Sequence, residues 1–144
     1  MIYYYCMMEP HFALTDDQFE KQFKACTIDP AIFSHEAHLR LAYIHVSKYG
    51  IVIAEENIDR QLRAFVAHVG ATGKYNKTLT IAAIKAVKHF IDKTDAIGFA
   101  DLIAKAPRLK YNFKELMAYH YQTDIYQSTL AKEHFLQPDL LPFT

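Results

Sequence analysis

Two histidines one helical turn apart, His35 and His38, are the residues of this chain best placed to do chemistry. An imidazole titrates near neutrality and also ligates borderline metals, so a facing pair can share a proton or a divalent transition metal. The pair lies in Phe33-Ser34-His35-Glu36-Ala37-His38-Leu39-Arg40, a helical segment that also holds His45. At 100° per residue His38 lies about 300° and His45 about 280° round from His35, so the three share one stripe with Ala42 and Tyr49. His45 is about 10 Å further along the axis, too far for the same coordination sphere. A metal at His35 and His38 must therefore take further ligands from other helices. The spacing is not the His-Glu-x-x-His of a zinc protease, and no Glu-x-x-His pair is present for a di-iron bundle. The alternative role for these histidines is structural, as hydrogen-bonded members of a core or rim.

A second polar group is Tyr75-Asn76-Lys77-Thr78-Leu79-Thr80. Asn76 or Thr78 can cap the helix that follows, and the same free amides can hold a ligand anion. We take Tyr75, Asn76 and Thr78 as candidate ligand-positioning residues. His120, in Tyr119-His120-Tyr121, follows Leu116 and Met117 at helical spacing and should face the core, where the His35/His38 stripe is one possible partner. Glu36 and Arg40 read as an i, i+4 surface pair worth a few tenths of a kcal/mol. Arg40 falls on the far side from His38, which disfavours an anion-binding role. His11, His68, His89 and His134 have no comparable partners in sequence and read as surface or cap residues.

The elements that position these residues are helical. Thr15-Asp16-Asp17-Gln18 is a capping-box start for a helix to about Cys26. Ser34 caps a second helix, which Gly50 ends at Tyr49. A 3.6-residue period in Ile58, Leu62, Phe65, Val66 and Val69 marks a third over about 54–69. A fourth covers about 77–92, and Gly98 and Pro107 bracket a fifth over 99–106. Segments 113–121 and about 128–135 read as two more. The ending, with Pro138 and Pro142, should be an extended tail on which Leu140, Leu141 and Phe143 pack back. The fold class is all-α, one domain over 1–144: a bundle of about six or seven helices.

Composition agrees. Of 144 residues 51% are apolar and 22% charged, and Gly plus Pro number nine. That is enough apolar surface for one real core and few turn formers to interrupt helices. Sixteen basic side chains balance sixteen acidic ones, which argues against nucleic acid or an anionic membrane as the main partner. No apolar run approaches a membrane span. Met1–Met8 has no basic leader, and Cys6 and Cys26 form no Cys-x-x-Cys, so a reduced cytoplasmic setting is expected. The Tyr3-Tyr4-Tyr5 segment has no partner strand. It lies either over the bundle as irregular chain or against a second subunit.

The motifs Phe33-x-His35-x-x-His38-x-Arg40-x-Ala42, Tyr75-Asn76-x-Thr78-x-Thr80 and Pro138-Asp139-Leu140-Leu141-Pro142 resemble those of a group of small bacterial helical proteins without an established activity. The match runs from about Phe33 to the C-terminus. It implies a site at His35, His38, Tyr75, Thr78 and Thr80 but no reaction. The group often has His where this chain has Asn76, which would weaken any metal site there. Two functions follow. One is a small-molecule-binding protein or a metal- or His-dependent enzyme with a histidine-lined pocket. The other is a non-catalytic homodimer or homo-oligomeric interaction protein with structural histidines. There is no Gly-x-Ser-x-Gly, phosphate loop or Gly-x-Gly-x-x-Gly to support hydrolase or nucleotide chemistry.

Overall fold

The local signals act where the sequence puts them. The computed structural model describes residues 8–143. Thr15 Oγ1 accepts from Gln18 N at 3.1 Å while Gln18 Oε1 accepts from Thr15 N at 2.9 Å, and this reciprocal cap starts α1, Asp16–Lys24. Ser34 Oγ accepts from Ala37 N to open α2, His35–Tyr49. Asn76 Oδ1 accepts from Leu79 N to open α4, Lys77–Lys93. Between them lies α3, Ile51–His68. After α4 come α5 (Phe99–Lys105), α6 (Arg108–Tyr111), α7 (Phe113–His120) and α8 (Thr129–Glu133). The described residues hold eight α-helices, three 3-10 turns and no strand, an all-α single domain.

Three boundaries differ from the sequence reading. α3 begins at Ile51, not near residue 54, because a single residue, Gly50, both ends α2 and opens α3. α6 is an additional short turn following Pro107. The last helix is only Thr129–Glu133. Gly50 has φ 82° and ψ 168°, a region open essentially to glycine alone. Gly50→Ala should therefore cost about 1–3 kcal/mol from backbone strain although a methyl group would meet no neighbour. Gly73→Ala, in ordinary backbone, should be near neutral. Urea unfolding of the two variants checks this, and equal stabilities would show that Gly50 carries no strain-sensitive turn.

α2 is the central helix. It packs on α3 and α4, and also on α1, α5 and α6. Nine of its fifteen residues are buried, including Glu36, Arg40 and His45. A helix covered on nearly all sides shows no clean one-sided stripe, so its sequence pattern could not reveal which faces were solvated. Around it Phe19, Phe23, Leu39, Leu41, Ile84, Val87, Leu102 and Leu109 form the core.

The tail after α8 is extended and docked through its backbone. Leu140 N donates to His120 O at 3.0 Å and Leu141 N to Tyr119 O at 3.3 Å. Asp139 accepts from Gln122 N at 2.8 Å. Phe143 packs back as expected, stacking on His120 with centroids 4.0 Å apart. Leu140 and Leu141 do not; they remain half exposed, because the main chain, not their side chains, makes the attachment. The Tyr-rich expectation for Met1–Met8 falls almost wholly outside the described residues. Among the described residues no helix is long and apolar enough to cross a membrane.

Candidate functional site

A cavity of about 530 Å³ opens between the first turn of α2, the apolar face of α3 and the start of α4. His35, His38, Tyr75, Asn76 and Thr80 all line it, so five of the seven residues singled out in the sequence meet in one place. The walls are otherwise mainly apolar: Leu62, Phe65, Val66, Val69, Leu79, Ala83 and Phe113 among them. Among the described residues no Asp or Glu lines it, and Lys74 is the lysine on its rim. Sequence periodicity marks the α3 residues as core-facing, but that the space before them is left unfilled is a property of the packing alone.

The two histidines are held differently. His35 Nε2 lies 2.9 Å from Leu109 O, and Phe113 meets the ring edge-on with centroids 4.9 Å apart. A carbonyl only accepts, so Nε2 carries the hydrogen. His38 packs against Phe33, tilted by 32° with centroids 4.1 Å apart, and makes no side-chain hydrogen bond among the described residues. It lines the cavity and its side chain remains exposed, with protein packed closely around the ring. Desolvation by that packing, with a smaller contribution from the neighbouring His35, pushes His38 down to about 4. It is therefore neutral at pH 7.

A pH prediction follows, with the sign set by the lowered value. Above its ordinary value of 6.5, His38 is neutral whether folded or unfolded and adds no pH dependence. Between pH 6.5 and 4 the unfolded chain takes up the proton first, so stability falls as pH falls. NMR titration should show the His38 Cε1–H resonance unmoved through pH 6, and His38→Gln should flatten the acid limb of the stability curve. A His38 resonance titrating near 6.5 would contradict the neutral assignment.

Tyr75 and Asn76 line the cavity but are already committed. The Tyr75 hydroxyl donates to Asp59, which also pairs with Arg63 at 3.0 Å and Lys77 at 3.2 Å. Arg63 lies over the Tyr75 ring, 4.3 Å from its centroid. Burial, then the Asp59 carboxylate, holds the Tyr75 phenol above its ordinary range. Asn76 uses both ends of its amide, Oδ1 to cap α4 and Nδ2 to donate to Ile125 O at 2.8 Å. Both residues therefore shape the wall.

Thr78 and His120 are not at this site, which corrects the sequence expectation. Thr78 is fully buried on the other side of α4, donating to His134 O at 2.7 Å and accepting from Leu136 N at 3.0 Å. It ties down the chain after α8. His120 lies beside a separate cavity of about 490 Å³ with His89, Arg108 and Phe143, and its Nδ1 donates to Leu141 O at 2.8 Å. Facing the core side of a short helix brought it to the tail and not to α2. His45, one stripe along, stays out of the cavity: Asn57 Nδ2 lies 3.4 Å from its Nδ1, and its buried Nε2 has no partner among the described residues.

The larger correction concerns Glu36, Arg40 and His11. Glu36 and Arg40 do not form a surface pair; both are buried and each has other partners. His11, read as a surface residue, is fully buried, with Nε2 2.6 Å from Glu36 Oε1. Lys110 Nζ bridges Glu36 at 2.7 Å and Glu9 at 3.3 Å, and Ser34 donates to Glu9. Arg40 donates to His11 O at 2.7 Å and Leu14 O at 2.8 Å, pairs with Asp16 at 2.9 Å, and lies over Phe19. Burial lowers His11 despite the Glu36 carboxylate. For Lys110, burial opposes the charge, but Glu36 and Glu9 overcome it and hold the ammonium above its ordinary range.

Among the described residues neither histidine cluster offers a free, complete set of metal ligands. No third His, Cys, Asp or Glu joins His35 and His38 within ligand distance among the described residues. Glu9, His11 and Glu36 meet that distance test, with ligand atoms within 4.8 Å of one another. There, however, Lys110 already bridges the two carboxylates, and the His11 nitrogen facing them donates to Glu36. The cluster carries its own cations and serves to clamp residues 9–16 onto α2 and α6. No family model, curated protein or solved structure matches the chain, so its chemistry is read from geometry.

Proposed function

We propose that this chain is a small-molecule-binding protein and that the α2–α3–α4 cavity is its site. One observation carries the reading: about 530 Å³ of mainly apolar space meets two imidazoles in the first turn of α2. Concave apolar sites with few polar groups are the usual form of ligand pockets, and the polar groups set orientation. The ligand is a mainly apolar molecule whose polar end faces His35 and His38. A neutral imidazole is also a competent proton acceptor, so acid–base chemistry on the bound molecule is the enzymatic form of the same proposal. A divalent metal on His35 and His38 would need the ligand or water to complete its sphere. The resemblance to small bacterial helical proteins remains part of the proposal, its implied site drawing support from His35, His38, Tyr75 and Thr80 lining one cavity, and a cytoplasmic setting belongs to the proposal as well.

The test uses N-phenyl-1-naphthylamine, an uncharged probe that fluoresces in apolar surroundings. Saturable binding with a 1:1 stoichiometry, weakened in His35→Ala/His38→Ala, is expected. Absence of saturable binding, or binding that the double variant leaves unchanged, would overturn the assignment. Elemental analysis of the same two proteins tests the metal variant.

A second reading is favoured by one separate observation. Tyr49, Val52 and Ile53 crowd the corner between α2 and α3 and are 42%, 65% and 43% exposed. Such a cluster suits self-association. Light scattering at high concentration tests it, and a monomer would remove it.

A further inference from the structure

We infer that the cavity selects an uncharged aromatic molecule carrying one O–H or N–H donor, of the alkylphenol class, and that His35 Nδ1 accepts that hydrogen. The inference rests on the small-molecule reading and adds the ligand's chemistry.

Three observations carry it. First, the hydrogen bond from His35 Nε2 to Leu109 O settles the tautomer: with Nε2 protonated, Nδ1 of the neutral ring is an acceptor only. Among the described residues Nδ1 has no partner, and His35 lines the cavity. A backbone carbonyl that orients one nitrogen so that the other faces a ligand is a recurrent arrangement for working histidines. Second, most other polar side chains of the wall are committed, Thr80 Oγ1 by donating to Asn76 O at 2.8 Å, while the Tyr126 hydroxyl has no partner among the described residues. Tyr75 donates to Asp59, and both ends of the Asn76 amide are occupied. His38, neutral and unbonded, supplies one donor and one acceptor beside His35. Third, the wall suits neither common kind of charged ligand. Among the described residues no carboxylate lines it to balance a cation. An anion would have exposed Lys74 at the rim as its cation, or would have to drive a proton onto His38, which is held neutral. What remains is a neutral group with a hydrogen to give. Phe65, Phe113 and Tyr126 in the same wall add faces and edges on which an aromatic ring packs well.

The experiment compares three molecules of one shape, 4-butylphenol, 4-butylanisole and 4-butylbenzoate, by displacement of N-phenyl-1-naphthylamine at pH 7.5. The phenol should bind roughly 10-fold tighter than the ether, which lacks the hydrogen and covers the His35 Nδ1 acceptor without pairing it. The benzoate should be weaker than the phenol. His35→Phe should erase the phenol–ether difference, read as the ratio of the two affinities within the variant so that any change in probe affinity cancels. In ¹⁵N-resolved NMR the His35 ring should be the Nε2–H tautomer, with the Nδ1 resonance moving when the phenol is added. Equal binding of phenol and ether, a tightest-binding benzoate, or a His35 ring protonated on Nδ1 would each overturn the inference while the probe still binds. Failure of the probe itself to bind would overturn the underlying small-molecule reading instead. Probe binding that none of the three molecules displaces would leave the cavity as a site and overturn the alkylphenol class.

Discussion

Arg40→Met should cost the fold about 3–5 kcal/mol, the largest single-residue effect expected outside the apolar core. The guanidinium is buried against Phe19 and supplies the donors for His11 O and Leu14 O, two carbonyls of the segment that precedes α1. Methionine keeps much of the stem's packing but no donor, so those carbonyls lose their partners away from water. Asp16, by contrast, is more than half exposed and rehydrates. Asp16→Asn should therefore cost less than about 1 kcal/mol, as exposed pairs do. Urea unfolding separates the two, and a drop below about 1 kcal/mol for Arg40→Met would show that the clamp on residues 9–16 is dispensable. The contrast with the i, i+4 reading is large: a surface pair with Glu36 would have been worth only a few tenths of a kcal/mol.

Ala83→Phe should abolish probe binding, weakening it by more than about tenfold, while leaving the protein folded. Ala83 lines the cavity from α4, and its side chain is partly accessible there. A phenyl ring at this position fills the space a ligand would take, and it buries apolar area against Leu62 and Phe65 at about 25 cal/mol per Å². Stability should be unchanged or slightly higher, since the ring enters a void and not a packed wall. Isothermal titration with N-phenyl-1-naphthylamine, with circular dichroism as the check on folding, measures both halves. Undiminished affinity would place the probe elsewhere, with the cavity beside His120 and Phe143 the next place to examine. Coupled with the histidine variants, this distinguishes blocking the site from altering its polar end.

Much of the scaffold was legible from residues acting on their immediate neighbours. The Thr15 box, the Ser34 and Asn76 caps and the Gly50 and Gly98 breaks are bonds or backbone states spanning a few residues, so the sequence states them directly. Helical periodicity likewise put His35 and His38 on one stripe, and the structure brings that stripe to a cavity with Tyr75 and Asn76. It could not say what the opposite stripe meets. Arg40 lies on that side, and an isolated helix would leave it in water. Here the chain before α1 covers it, and its carbonyl partners are 26 and 29 residues away. Glu36 takes His11 from 25 residues upstream and Lys110 from α6. Thr78 and His120 have their partners in the tail for the same reason: their faces were readable, but not what lay across from them.

The caps, the helix periods and the all-α class were thus determined by the sequence itself, because their energies come from contacts within one or two turns. Burial of the charged network, and an unfilled volume beside two histidines, were decided only by the tertiary structure. Both depend on which distant segments close over α2 and on how completely their side chains fill the space between, and neither quantity exists until the helices have packed.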